Sequence, residues 1–485
     1  MPVAPGYRPS TRHADLGDRF FDVVAAARFP RHVLRFRNQA WADRIGLGDL
    51  TEEEWIAHFG AFVPLPGSFA QPLALRYHGH QFRHYNPDLG DGRGFLFAQL
   101  HDLNDGRLLD LGTKGSGTTP WSRGGDGRLT LKGGVREVLA TAMLEAQGVN
   151  TSKTLSLIET GEDLVRGDEP SPTRSAVMVR LNHSHIRFGS FQRLSHLGDT
   201  EGILRLMDHT IRNYMPEIWV DEPAARTAAF LGRVAENVAT MGAGWMAAGF
   251  VHGVLNTDNM NVTGESFDYG PWRWLPTYQP EFTAAYFDES GLYAYGRQPE
   301  TLLWNLARLG GCLLELADKA ALEAVLAPFW GRVQADFASA VVRRLGLSSR
   351  GAESDAALGR ALYGFMGESQ APYEQVFFDW YTGPDARASA ESGPNAAFYA
   401  APAFAPVREI LGAYEPAGGA TREHAYFQAE RPCTVLIDEV EALWAPIAES
   451  DDWSALEKKL SHINQMADAY GNLPAPVEPK DGLSA

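Results

Sequence analysis

Three short runs that are apolar or alternate lie in the first third of the chain: "GFLFAQL" (94–100), "RLLDLG" (107–112) and "RLTLKGG" (128–134). Each begins at or just after an Asp-Gly-Arg string, at 91, 105 and 126. Asp-Gly between such runs signals a tight turn, because glycine supplies a positive φ at no steric cost. The pattern then changes period. In "VREVLATAMLEAQG" (135–148), Val135, Val138, Leu139, Ala142 and Met143 recur at helical spacing and Gly148 is a stop signal. Two more strands follow, "KTLSLIETG" and "SAVMVRLNHSHIRFG". Beyond Phe191 the periodicity is helical, over 199–215, 223–250 and 300–317, then in "AVLAPFWGRVQADFASAVVRRLGL" and "CTVLIDEVEALWAPI". The stretch 381–395 reads as a loop and "NLPAPVEPKDGLSA" as a mobile tail.

Strands, one helix, two strands and then mostly helices predict an α+β protein with the layout of a protein-kinase-like two-lobed fold. The expected divisions are an N-terminal extension (1–75), a small β-rich N-lobe with one key helix (76–192), a helical C-lobe carrying a metal loop (193–310) and a helical C-terminal region (311–485). A small sheet with helices hosts many activities, so the function has to come from the site.

Composition narrows the classes. The 485 residues are 45% hydrophobic and 21% charged, as in a globular protein with a sizeable core. A net charge of −17 argues against a nucleic-acid or anionic-membrane surface, which needs clustered Lys and Arg. Two cysteines, Cys312 and Cys433, fit a reducing compartment and no disulfide scaffold. The first twenty residues lack a signal-peptide core, and the longest weakly apolar run, 241–251, falls short of the roughly 20 residues of a membrane span. The expectation is a cytoplasmic protein.

Candidate chemistry centres on "HGVLNTDNMNVTGESFDYG" (252–270). Kinase-like enzymes place a base and two metal ligands in such a string, but the usual base position is Val254. Asn259 and Asp268 are the candidate Mg²⁺ ligands, brought together by a short hairpin over "MNVTGESF", and Asp258 is the adjacent carboxylate able to take a proton. Lys114, in "DLGTKGSG", suits a phosphate contact with Glu137 as its helix partner; the alternative is a solvated lysine and a glutamate favoured by the helix dipole. No G-x-x-x-x-G-K-[ST] loop occurs. Gly90, Gly92 and Arg93 form a glycine-rich turn able to approach phosphate, and Arg180 and Arg187 are a second basic pair, with surface salt bridging as the alternative. His78, His80, His84, His183 and His185 read as structural or ligand-adjacent rather than as zinc ligands.

These motifs together resemble the selenoprotein O (YdiU-type) family of pseudokinase-fold protein adenylyltransferases. The matching blocks are "YHGHQF", "YNPDLGDGRG", "DLGTKGSGTTPWSRGGDGR", "VREVL", "VRLNHSHIRFGSF", "HGVLNTDNMNVTGESFDYGPW" and "YQPEF", over roughly residues 76–310. The resemblance implies ATP bound flipped relative to a kinase and AMP passed to Ser, Thr or Tyr hydroxyls of protein substrates. It implies nucleotide contacts from Gly90, Gly92, Arg93, Lys114, Asp126, Gly127, Arg180 and Arg187. It implies Mg²⁺ (Mn²⁺ in a variant reaction) on Asn259 and Asp268, Asp268 thereby bordering the nucleotide, with Asp258 as proton acceptor and Glu137 supporting Lys114. Some family members pair a C-terminal selenocysteine or cysteine with a core cysteine; here "KDGLSA" and "TAAYF" carry none, so that redox gate is not expected. Protein UMPylation with Mn²⁺, a true phosphotransferase using Asp258, and an ATP-binding scaffold are the alternatives.

Overall fold

The computed structural model describes residues 4, 6–167 and 169–477, so the end of the predicted tail lies outside the described residues. Thirteen strands occur among them: β1 (Pro9–Ser10), β2 (Phe21–Val23), β3 (Val33–Arg37), β4 (Leu73–Leu75), β5 (Gly79–Gln81), β6 (His84–Asn86), β7 (Leu96–His101), β8 (Leu108–Lys114), β9 (Leu129–Thr130), β10 (Lys153–Leu164), β11 (Thr173–Asn182), β12 (Phe250–His252) and β13 (Trp272–Trp274). Nine form one antiparallel sheet in the order β2-β4-β7-β8-β11-β10-β3, with β1 added on β7 and β9 on β11. β8 is buried along its whole length, which is why its sequence runs apolar instead of alternating.

Of the three Asp-Gly-Arg strings, the central one is the tight β7–β8 turn. Gly106 has φ +79°, its amide donates to the Asp102 carbonyl, and the Arg107 amide donates to the Asp105 carboxylate. The other two lie in loops, 91–93 leading into β7 and 126–128 into β9. The third expected strand, 128–134, is a strand only at Leu129–Thr130; a helix, Leu131–Ala146, then starts four residues earlier than the hydrophobic period indicates. Thr130 is the reason, because its Oγ1 accepts the Gly133 amide at 3.1 Å and caps the helix there. Gly134 lets the helix lie close on the sheet, since a Cβ there would come within 2.4 Å of Leu157.

Three further expectations differ from what the structure shows. The expected loop 381–395 contains a 3₁₀ turn, Gly383–Ala386, and a helix, Arg387–Ser392, because Ala386 and Ala390 are buried. The expected helix from Cys433 begins at Ile437, where the Glu439 carboxylate accepts the Leu436 amide. The expected hairpin over 260–267 does not form. That segment closes a turn from Gly264 to Asn261, but its bridges run outward, Asn261 to Arg187 and Ser266 to Thr151, so no strand pair forms within it.

The helix Leu131–Ala146 packs on β10 and β11, and the helix Ser454–Ala469 packs against its outer side. The C-terminal helices are tied in by a buried pair: Arg344 bonds Glu374 and the Ala247 carbonyl, both at 2.5 Å, and Gln147 donates to Glu374 at 2.9 Å. Removing one partner leaves an uncompensated buried charge. Glu374→Ala is therefore expected to lower unfolding stability by about 3–5 kcal/mol, measured by chemical denaturation. No helix among the described residues is long and apolar enough to cross a membrane.

Candidate active cleft

β8 and β11 are neighbours in register Gly112↔Arg180 and Lys114↔Met178. Residues opposite each other and two apart share a face, so Lys114 and Arg180 project from the same side of the sheet. Lys114 Nζ there forms an ion pair with Glu137 of the helix Leu131–Ala146. Arg187 enters from the residue preceding the helix Phe188–His196, its guanidinium lying over the rings of Tyr77 (4.6 Å) and Phe267 (4.7 Å).

All three cations converge on Asp268. Its Oδ1 accepts from Lys114 at 3.2 Å and Arg180 at 3.1 Å, and its Oδ2 from Arg187 at 3.0 Å. Burial would raise this carboxyl, but Lys114, Arg180 and Arg187 outweigh it and hold it well below the usual range. Asp268 adopts φ +63°, a left-handed conformation unusual for a non-glycine residue, which aims its side chain back at the sheet. Arg187 also faces Asp91 at 3.7 Å, whose carboxyl is raised by burial against the pull of that arginine.

These groups floor a cleft of about 660 Å³ that Gly90, Gly92, Arg93, Asp126, Gly127 and Asp258 also line. Asp258 is buried, its Oδ1 has no hydrogen-bond partner, and burial pushes its carboxyl up to about 7 although Arg187 pulls it down. What buries it is the β5–β6 hairpin. The His80 amide donates to Thr257 Oγ1 at 2.6 Å and the Phe82 amide to Asn256 Oδ1 at 3.1 Å, which docks the hairpin on the loop that carries Asp258. His78 and His80 brace this arrangement through Tyr85 (2.7 Å) and Gln192 (2.9 Å).

Asn259 is not among the residues lining the cleft. Its Nδ2 donates to the Val254 carbonyl at 3.0 Å, which leaves Oδ1 as its free acceptor. Val254, the position the sequence reading gave to the usual base, is half-buried and does not line the cleft. The oxygen donors of Asp268, Asn259 and Asp258 are of the hard type that Mg²⁺ takes, with phosphate and water completing the shell. No group of three or more His, Cys, Asp or Glu able to hold a metal occurs among the described residues.

Gly90 and Gly92 leave no room for side chains: a Cβ would sit 2.4 Å from Trp121 Cγ and 2.7 Å from the Trp121 carbonyl, respectively. Their role is to let the glycine-rich turn close against the 119–122 loop. Asp126 lies at the rim, held by Arg166 at 2.8 and 3.1 Å.

A family profile described as "Protein adenylyltransferase SelO" matches residues 6–464. The chain belongs to the SelO family. The family is one of enzymes, with protein adenylylation as its general reaction. Curated relatives named "Protein nucleotidyltransferase YdiU" agree: that of Synechocystis is 44% identical over 92% of this chain and 95% of its own, and that of Gloeobacter violaceus 46% over 92% of each. The relative from Trichormus variabilis is 49% identical over 78% of this chain and 76% of its own.

In this SelO-family chain several lining residues escaped the sequence reading: Tyr77, Asp91, Trp121, Arg123 and Arg166. Tyr77, Asp91, Trp121 and Arg123 lie inside the quoted motifs, so the blocks located them without assigning them. Arg166 follows β10 in a segment with no motif, and nothing in the sequence marks it. Gly79 was also unassigned, and it is the contact that sets Asp258. A Cβ there would lie 2.8 Å from Asp258 Oδ1 and 3.0 Å from its Cβ. Gly79→Ala is expected to displace that carboxylate and lower kcat by about 10–100-fold, read in the labelled-ATP assay described below.

Proposed function

We propose that this cleft binds ATP with Mg²⁺ and transfers AMP to a Ser, Thr or Tyr hydroxyl of a protein, within a protein-kinase-like two-lobed frame. The observation that carries this reading is Asp258: an unpartnered, buried carboxylate on the wall of a cleft whose floor gathers Lys114, Arg180 and Arg187. A proton acceptor beside a cation cluster is what nucleophilic attack on a polyphosphate requires.

In the proposed step the hydroxyl oxygen bonds to the α-phosphorus, and the bond from that phosphorus to the bridging oxygen breaks. Pyrophosphate leaves with the electron pair, and the hydroxyl proton passes to Asp258. With the nucleotide flipped relative to a kinase, Lys114, Arg180 and Arg187 neutralise the charge gathering on the leaving pyrophosphate. Bound Mg²⁺ would supply further neutralisation of the phosphate oxygens and would be held by Asp268 and Asn259. Glu137 keeps Lys114 in place, while Gly90, Gly92, Arg93, Asp126 and Gly127 border the nucleotide. Val254 fits this reading, because the attacking hydroxyl approaches a different phosphorus and needs its base elsewhere.

Incubation with ATP labelled at the α- or the γ-phosphate tests it. Label on protein from α-labelled ATP alone is the expected result. Label from γ-labelled ATP would make the protein a phosphotransferase, and none from either would make it a nucleotide-binding scaffold.

A further inference from the structure

Most of the lining cations are already committed to carboxylates. Lys114, Arg180 and Arg187 hold Asp268, Arg128 holds Glu162 and Arg166 holds Asp126. Among the described residues lining the cleft, Arg93 and Arg123 are the arginines whose side chains make no hydrogen bond or ion pair. Arg93 lies on the glycine-rich turn already assigned to the nucleotide. Arg123 has no role in the reading above.

Its setting is unusual. Arg123 is exposed and adopts φ +50°, followed by Gly124 at +79°. A long side chain in that sparsely populated region persists only where its surroundings impose it, and such strain clusters at functional sites. Here the surroundings do impose it. Ser122 Oγ donates to the Gly92 carbonyl and Thr119 Oγ1 to the Asp91 carbonyl, both at 2.5 Å. The Thr119 amide donates to Ser122 Oγ at 2.9 Å, the Gly125 amide closes on the Ser122 carbonyl at 2.7 Å, and Trp121 Nε1 is anchored on Asp22 at 2.9 Å. The loop is thereby tied to the glycine-rich turn, and its tip holds Arg123 at the cleft mouth, above the buried cations of the floor.

Arg123 lines the same cleft as Asp258. Asp258 takes the proton from the attacking oxygen, and that oxygen bonds to the phosphorus being transferred. The floor cations are taken up by the leaving group in this reading, and Arg123, unpaired in the same cleft, is left to meet the transferred phosphoryl group.

We propose that Arg123 is a catalytic residue, a guanidinium carried on the strained 119–125 loop that contacts the non-bridging oxygens of the phosphoryl group passed to the acceptor hydroxyl. This rests on the reading of the cleft as an AMP-transfer site. No further reactant enters: the oxygen–phosphorus bond forms, pyrophosphate departs with the electron pair and Asp258 takes the proton, while Arg123 only donates hydrogen bonds. Planar, fixed donors suit such a group better than an ammonium does.

The test is steady-state transfer from α-labelled ATP by full-length Arg123→Ala and Arg123→Lys, with ATP affinity and thermal melting measured alongside. Arg123→Ala is expected to lower kcat by about 10²–10³-fold, with the dissociation constant for ATP and the melting temperature near wild type. Arg123→Lys should recover part of the loss, and added guanidinium ion should partly rescue Arg123→Ala without affecting wild type. An unchanged kcat in Arg123→Ala overturns the assignment. So does a raised KM with kcat intact, because the contact would then belong to ground-state binding. Wild type that transfers γ-label, or no label, fails the underlying reading itself, and this shows before any variant is compared.

Discussion

Lys114→Ala is expected to abolish transfer of α-label, with kcat/KM reduced by at least about 10³-fold. One lost donor to developing phosphate charge typically accounts for 10²–10³ of rate. Here the loss is compounded, because Lys114 also separates two carboxylates. Without it, Glu137 keeps a buried oxygen that already lacks a partner, and Asp268 faces it with one cation fewer. Breaking a buried pair from one side costs about 3–5 kcal/mol, so Lys114→Ala should also melt earlier than wild type. Lys114→Met with Glu137→Gln removes both charges together and should recover much of the stability while remaining inactive. The readout that separates chemistry from folding is ATP-induced stabilisation: saturating ATP should raise the melting temperature of wild type and leave the double variant nearly unmoved. Retention of α-label by Lys114→Ala at wild-type rate would remove the site assignment.

Asp258→Asn is expected to cost about 10²–10⁴-fold in kcat, the usual contribution of a positioned base, and to remove a limb of the pH profile. Burial pushes the Asp258 carboxyl up from its ordinary 3.8 to about 7, Arg187 pulling the other way. A base must be ionised to work, so wild-type kcat/KM should rise tenfold per pH unit below about 7 and level off above it. Asp258→Asn should lack that rise. Stability runs in the opposite direction. A carboxyl whose folded pKa is raised binds its proton more tightly in the folded state. Its stabilising contribution is full below about 3.8 and is lost as pH rises through about 7. At pH 8 wild type therefore carries an unpartnered buried charge that Asp258→Asn lacks. The variant should melt at the same temperature or higher there, while being far less active. A variant both inactive and markedly less stable at pH 8 would point to a structural Asp258 instead.

Much of the site was legible because its members lie in short strings whose spacing reflects local backbone needs. Lys114 at a strand end, Glu137 two turns into the next helix, and Asp258 and Asp268 ten residues apart on one loop all come together as their positions suggest. Asn259 does not reach the cleft lining, and its amide is turned onto Val254. The hairpin expected between Asp258 and Asp268 failed for a related reason. Residues 260–267 alternate as a hairpin would, but the bridges that satisfy their backbone come from Arg187 and Thr151, far away in the chain.

The strands β7, β8, β10 and β11, the α+β class, the central Asp-Gly turn and the motif blocks were carried by the chain alone, since each rests on residues within a few positions of one another; β1–β6, β12 and β13 were not read from it, and β1–β4 lie in the stretch expected as an N-terminal extension. Tertiary structure decided what depends on distant neighbours. Gly134 stands in the first turn of its helix because that turn seats closely on Leu157 of β10. Asp258 becomes a carboxyl near 7 only because a hairpin almost 180 residues earlier in the chain shuts water away from it. Arg123 stands free only because every other cation but Arg93 found a carboxylate in the folded cleft. Charge balance and burial are sums over everything within a few ångströms, and a sequence does not say what those neighbours are until the chain has closed around them.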